Sequence, residues 1–138
     1  MTTDDLNEIR LREQQRNAVI FKRKLTEESG GMMSAVEVQA LLGLPTPEAV
    51  RNAVSAREVF AVEDNGELRF PVLQFDKGKV RPGLIAVLQA APNTSGWRLL
   101  QYLLYAEDGL AGEKPVDLIR GSAEDIERAV RFARRLEH

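Results

Sequence analysis

The stretch SAVEVQALLGLPTPEAVRNAVSAREVFAVEDNGELRFP, residues 34–71, decides the predicted fold. Ser34 and Glu37 have capping-box spacing, in which each side chain satisfies the other's free backbone amide, so a helix is predicted to start there. Gly43 can take the left-handed conformation that ends this helix. Thr46, followed by a proline, then predicts the start of a second short helix. The pattern is two helices joined by a tight turn.

Two short β-prone runs follow, at residues 59–62 and 67–70, on either side of Asn65-Gly66. This dipeptide is a strong short-range signal for a hairpin turn. Pro71 ends ladder pairing or marks an edge strand. The order helix, turn, helix, hairpin predicts a winged helix-turn-helix-like module.

The rest of the chain is predicted to be helical. Apolar residues recur at helical spacing after residue 84, after Trp97, after Pro115 and after Ser122, with glycine or proline between the runs. The predicted fold class is therefore mainly α with one small β-hairpin, a winged helix-turn-helix-like module followed by a small helical bundle.

Three parts are predicted along the chain: an N-terminal helical arm over residues 1–30, the winged helix-turn-helix-like module over 31–80 and the bundle over 81–138. The arm has helix-favouring residues and ends at Gly30-Gly31, but its apolar residues are sparse and poorly periodic. Two interpretations remain open for it, a partly disordered terminus and a dimerisation or interdomain arm.

Composition limits the possible functions. The chain of 138 residues has no cysteine and a single histidine at its last position, so thiolate chemistry and a rigidly held histidine base are not expected. No apolar run of membrane-spanning length and no secretory signal are visible, which predicts a cytoplasmic protein. We expect no enzyme, no catalytic residue, no cofactor and no metal. An enzyme that uses Glu107, Asp108 or Glu113 as acid and base ranks last, because no metal or phosphate motif accompanies them.

From about Ser34 onward the chain resembles the Xre/MbcA/ParS-type antitoxins, with a short helix-turn-helix and a C-terminal toxin-binding domain. The residues that carry the resemblance are Leu68-Arg69-Phe70-Pro71 with Gln74-Phe75, Val80-Arg81-Pro82-Gly83-Leu84, and Trp97 followed by Leu110-Ala111-Gly112-Glu113-Lys114-Pro115-Val116-Asp117-Leu118. Packing or backbone conformation is a sufficient explanation for four of these residues, so we interpret them as structural rather than as a ligand site. They are Trp97, Leu110, Gly112 and Pro115.

The resemblance implies a partner toxin, often one that consumes NAD, whose active site is blocked by the antitoxin's last helix and tail. The corresponding toxin-binding candidates in this chain are Arg128, Arg131, Arg134, Arg135 and His138. Arginines can form charge-assisted hydrogen bonds with an acidic partner surface, although a solvated helix face is an equally good interpretation.

The second helix of the helix-turn-helix supplies candidates for contact with DNA. They are Thr46, Glu48, Arg51, Asn52, Ser55 and Arg57. Arginine and asparagine suit base edges, whereas Glu48 and the acidic hairpin oppose phosphate. The predicted function is an antitoxin-like protein, a homodimer, that neutralises a cognate toxin and represses its own promoter by binding DNA. The alternative is a stand-alone DNA-binding regulator or adaptor without a toxin partner.

Overall fold

A computed structural model of the chain describes residues 2–137 and is mainly helical with two small antiparallel sheets. No helix within these residues is both long enough and apolar enough to cross a membrane. The helices are α1 (Thr3–Glu28), α2 (Ala35–Leu42), α3 (Pro47–Ser55), α4 (Pro82–Ala90), α5 (Gly96–Leu104), α6 (Pro115–Leu118) and α7 (Ala123–Ala133). The strands are β1 (Met32–Ser34), β2 (Val62–Asp64), β3 (Glu67–Pro71), β4 (Phe75–Asp76) and β5 (Lys79–Val80).

The helix starts and stops of the first half lie where the sequence predicts them. The Ser34 hydroxyl accepts a hydrogen bond from the Glu37 amide, and the Ser34 amide donates to the Glu37 carboxylate. Gly43 ends α2 with φ 68°, and the Thr46 hydroxyl accepts from the Ala49 amide at 3.0 Å. These caps confirm the predicted pair of short helices.

The β-structure is more extensive than the single predicted hairpin. Strands β2 and β3 form a hairpin around Asn65 and Gly66, both with positive φ, but its first strand covers residues 62–64 rather than the predicted run 59–62. Strand β1 pairs with the other side of β3, so the sheet order is β1-β3-β2. A second hairpin, β4–β5, turns at Lys77 and Gly78. Strands of two or three residues are too short to show an alternating pattern, so the prediction of only one hairpin was wrong.

Two hydrophobic clusters stabilise the fold. The smaller lies under α2, α3 and β3, and its fully buried members are Val38, Val50, Val59 and Phe70. The larger joins α4, α5, α6 and α7, with Leu88, Leu100 and Ala129 at its centre, and it also contains Leu25 from α1. The division into parts at residues 80 and 81 stays a prediction, because Val80 packs against both clusters.

A buried amide joins the strands to the loop after α3. The Gln74 side chain is fully buried, donates to the carbonyl of Phe60 at 2.8 Å and to that of Pro71 at 3.1 Å, and accepts from the Phe60 amide at 2.9 Å. All of its polar atoms are therefore satisfied, which is the condition for burying an amide without a large free-energy cost.

The four residues predicted to be structural are used within the fold. Trp97 donates its indole N–H to the carbonyl of Glu63 at 2.9 Å, which ties α5 to β2. Leu110 is buried, Gly112 has φ 76°, and the buried Pro115 is the first residue of α6. A positive φ favours glycine because it has no Cβ.

Helix α1 contacts the rest of the molecule only near its carboxyl end. Leu25 is fully buried, Phe21 stacks on Tyr105 with ring centroids 6.3 Å apart, and Lys22 lies 5.3 Å from the centre of the Trp97 ring. All residues from 2 to 24 are exposed. The amino-terminal two-thirds of α1 therefore projects as a helical arm.

Candidate nucleic-acid interface

Helix α3 presents one polar stripe to solvent and its apolar side to the smaller cluster. Val50 is buried on the inner side, and Ala53 and Val54 pack against the same cluster. Five of the six DNA-contact candidates lie on the exposed side: Thr46, Glu48, Arg51, Asn52 and Ser55. Within residues 2–137 neither Arg51 nor Asn52 has a side-chain hydrogen bond or ion pair, so both side chains are available to a ligand.

Arg57 does not join this stripe. It follows α3 with φ 59°, and its guanidinium turns toward the end of α4, donating to the carbonyls of Leu88 at 3.3 Å and Ala91 at 2.7 Å. Burial lowers the pKa of Arg57, and the nearby Glu137 carboxylate opposes that shift. The helix end supplies partial negative charge, so the contact ties the α3 region to α4.

The β4–β5 hairpin brings further positive charge to the helix pair. A Cβ placed on Gly78 would lie 3.7 Å from the carbonyl oxygen of Leu41, so the turn of this hairpin is near the end of α2, and Lys77 and Lys79 on either side of Gly78 are exposed. Arg81 is different, because it donates to the carbonyl of Leu73 at 3.1 Å and is half-buried. The tertiary structure therefore adds two exposed lysines near the turn between α2 and α3.

The tip of the β2–β3 hairpin is acidic. Glu63, Asp64 and Glu67 are exposed there, and the guanidinium of Arg69 lies 2.6 Å from the Glu67 carboxylate. Like charges disfavour contact with phosphates. The positive charge therefore lies on the helix side of the module rather than on this hairpin tip.

Arg128, a toxin-binding candidate, is held within the chain. Its guanidinium forms ion pairs with Glu113 at 2.9 Å and Asp125 at 3.5 Å, and it donates to the carbonyl of Leu110 at 3.3 Å. These contacts connect α7 with the loop before α6. Glu113, one of the carboxylates weighed for acid–base chemistry, is thereby engaged in an ion pair.

The other C-terminal arginines are more accessible. Arg131 pairs with Glu127 at 3.3 Å with both side chains about 65% exposed, Arg134 is exposed, and the Arg135 guanidinium lies 4.8 Å from the Phe132 ring centre. His138 lies outside the described residues. A surface depression of about 180 Å³ has Leu110 and Phe132 in its lining and is flanked by arginines at 128, 131 and 135.

The structural role of Gln74 was missed from the sequence. A lone glutamine between Leu73 and Phe75 in an apolar stretch is the one signal that pointed to a buried, satisfied amide. Its partners at Phe60 lie 14 residues away and carry no pattern of their own.

Comparison with known proteins gives a likeness of fold. No protein-family model matches the chain, and no curated protein matches it. The chain is similar to the NMR structure of Rv2175c, with a TM-score of 0.61 and 21% sequence identity over 78% of this chain and 81% of that one. At this level of identity the similarity establishes a shared fold and nothing about activity.

Proposed function

We propose that this protein binds double-stranded DNA through α3, in a winged helix-turn-helix arrangement. The order β1, α2, α3, β2, β3 and the sheet order β1-β3-β2 support that arrangement. The observation that carries the proposal is the exposed stripe of α3, whose Arg51 and Asn52 have no side-chain partner within residues 2–137. A helix of this kind fits the major groove, which is wide enough to admit it.

The side chains of the stripe suit two kinds of contact. Arg51 and Asn52 can each form two hydrogen bonds with a base edge, Arg51 with guanine and Asn52 with adenine. The hydroxyls of Thr46 and Ser55 suit phosphate oxygens, as do the ammonium groups of Lys77 and Lys79. Phosphate contacts of this kind position the protein, and the base contacts select the sequence.

A first experiment measures binding to the DNA upstream of the protein's own gene by fluorescence anisotropy over a range of salt concentrations. We expect affinity to fall steeply as salt rises, because cations released from phosphates drive the association. Removing Lys77 and Lys79 together should lower the slope of log affinity against log salt by about 2.

The specific contacts are tested with the double variant R51A/N52A. Loss of one bidentate base contact costs about 1–3 kcal/mol of discrimination, so specific binding should fall to the level of random DNA. The matched control is Arg98→Ala, which removes an exposed arginine from α5. If R51A/N52A binds its site as tightly as the unchanged protein, α3 does not read the bases.

Neutralisation of a toxin is the second candidate function, and a different observation favours it. The depression beside Phe132 combines apolar lining from Leu110 and Phe132 with flanking guanidinium groups, of which those of Arg131 and Arg135 are exposed. Such a surface suits an acidic segment of a partner protein, because arginine pairs with carboxylates in two-pronged geometry.

This second function predicts a stable complex with the product of a neighbouring gene. Co-expression should rescue growth from that product and yield a co-purifying pair. The variant R131E/R135E should lose both effects, whereas Arg98→Glu should keep them. A protein that neither co-purifies with the neighbour nor rescues growth does not act as its antitoxin.

A further inference from the structure

The projecting part of α1 lacks the packing that normally stabilises a helix. Residues 2–24 are exposed, and the exposed side chains include Leu6 and Ile9, each 42% exposed, and Ile20, which is 55% exposed. In proteins most of the stability of a helix comes from tertiary packing of an apolar face rather than from intrinsic propensity. Phe21 stacks on Tyr105 and Lys22 lies over the Trp97 ring, whereas residues 2–20 remain exposed in the described part of the single chain.

One narrow stripe of α1 has a self-complementary order of charges. With 3.6 residues per turn, its members fall within roughly 100° of the helix circumference. The stripe is centred on Asp5, Ile9, Glu13, Arg16, Ile20 and Lys24, and Leu6, Arg23 and Glu27 lie at the same angles. We call the first six of these residues the α1 seam. Read from the amino end they run acid, apolar, acid, then base, apolar, base, so the stripe complements itself when reversed.

The α1 seam faces away from the body of the molecule. Leu25 and Phe21, which contact the larger cluster and Tyr105, lie on the other side of the helix, with Leu25 roughly 150° from the centre of the seam. Glu13 and Arg16 form no ion pair within residues 2–137. The other two charges are partly engaged. The Asp5 carboxylate accepts a hydrogen bond from the Thr2 amide, and the Lys24 ammonium lies 3.9 Å from the Glu28 carboxylate.

We propose that the α1 seam is a homodimer interface in which α1 pairs antiparallel with α1 of a second copy. In this register Glu13 faces Arg16 of the second copy, Ile9 faces its Ile20, and Asp5 faces its Lys24. The two-fold symmetry repeats each contact, since an interface between two identical copies uses the same patch on both. The two isoleucine pairs then flank a central group of four alternating charges.

The order of charges favours a second copy of the chain as the partner, and it favours antiparallel over parallel pairing of the two α1 helices. A parallel, in-register pair would place Glu13 beside Glu13 and Arg16 beside Arg16, and such like-charge contacts are unfavourable. The antiparallel pair removes both conflicts. Exposed ion pairs alone contribute little, so the isoleucine contacts supply the main attraction and the charges set the register.

This inference is independent of DNA binding, because α1 and α3 use different residues. Its test is the oligomeric state of the full chain, measured without DNA by sedimentation equilibrium in low salt. We expect a concentration-dependent dimer, and we expect Glu13→Arg to raise its dissociation constant about tenfold or more. The control Glu8→Arg makes the same charge change outside the seam and should leave the dimer unchanged.

Mixing two variants tests the register. Neither E13R nor R16E should dimerise well alone, because each would place two like-charge pairs at the centre. Mixed in equal amounts they should form a heterodimer, because both central positions are then basic in one chain and acidic in the other. Circular dichroism of each variant checks that α1 remains helical. Failure of the mixture to associate, with both helices intact, would overturn the proposed register.

Cross-linking gives a second measurement. The sequence has no cysteine, so only the introduced cysteines can form a disulfide. Under mild oxidation a mixture of I9C and I20C should form a disulfide-linked dimer, and each variant alone should stay unlinked. A parallel pair would reverse this result, because each variant would then link to itself. An unlinked mixture, or an unmodified chain that is monomeric at high concentration, would refute the interface.

Discussion

The guanidinium of Arg57 donates a 2.7 Å hydrogen bond to the backbone carbonyl of Ala91, 34 residues further along the chain. A second, longer bond reaches the carbonyl of Leu88. These oxygens lie at the end of α4, where each also accepts a 3.3 Å backbone hydrogen bond, Leu88 from the Ala91 amide and Ala91 from the Thr94 amide. Arg57 therefore acts as a structural tie between α3 and α4, which removes it from the proposed DNA-contacting stripe.

Replacing Arg57 with alanine should lower the free energy of unfolding by about 2 kcal/mol, because two hydrogen bonds from a charged donor are lost. Urea denaturation measures this change. Arg51→Ala, in the exposed stripe, is the matched control and should change stability by no more than about 0.5 kcal/mol. Equal effects of the two substitutions would contradict the assignment of Arg57 as a tie.

Gly96, the first residue of α5, should not tolerate a side chain. A Cβ at this position would overlap the carbonyl oxygen of Ala61, which belongs to the backbone and cannot move aside easily. Gly96→Ala should cost about 3 kcal/mol or more in thermal or urea unfolding. Gly66→Ala has open space around it and should cost only about 1 kcal/mol, from its positive φ alone.

Glu48 opposes DNA binding in the proposed interface, because its carboxylate shares the exposed stripe with Arg51 and Asn52. Glu48→Gln should therefore raise affinity for DNA at low salt, by up to about fivefold, and the gain should shrink as salt screens the charge. Anisotropy titrations at several salt concentrations measure it. An unchanged affinity at every salt concentration would mean that DNA lies far from α3.

Glu137 should make stability depend on pH in the acid range. Hydrogen bonds from the Thr94 hydroxyl and then the Asn93 amide hold the pKa of Glu137 below its usual value, and Arg57 assists. A lowered folded-state pKa means that the carboxylate stabilises the fold above the unfolded pKa and loses this effect as pH falls through the folded value.

The variant E137Q tests that dependence by urea denaturation at several pH values. It should be less stable than the unchanged protein near pH 7, and the difference should shrink as pH falls through the lowered folded-state pKa of Glu137, where the native carboxyl also becomes protonated. A difference that persists unchanged into acid would assign the effect to packing rather than to charge.

Local signals in the sequence were reliable wherever the physics is local. The caps at Ser34 and Thr46 and the turn at Asn65-Gly66 were predicted and are present. In each case the hydrogen bonds join residues three apart, or the backbone conformation depends on one or two residues. The exposed side of α3 was predicted for the same reason, since it follows from helical spacing.

Signals that depend on distant partners were missed. Strand β1 pairs with the distant strand β3, with Met33 opposite Phe70, and the β4–β5 turn at Gly78 lies near Leu41. Neither contact leaves a pattern in the neighbouring sequence. Arg51 and Arg57 show the same limit, because both arginines were predicted to face DNA and only the contact of Arg57 with the distant residues Leu88 and Ala91 separates them.

The sequence by itself determined where helices begin, where the first hairpin turns and which residues of α3 face outward, because each depends on hydrogen bonds or periodicity within a few residues. Only the tertiary structure decided that Arg57 and Arg128 are tied inward, that Lys77 and Lys79 stand beside the helix pair and that the arm α1 is uncovered. Those outcomes depend on which carbonyls and carboxylates the folded chain brings close to each side chain, and residues distant in sequence determine those contacts.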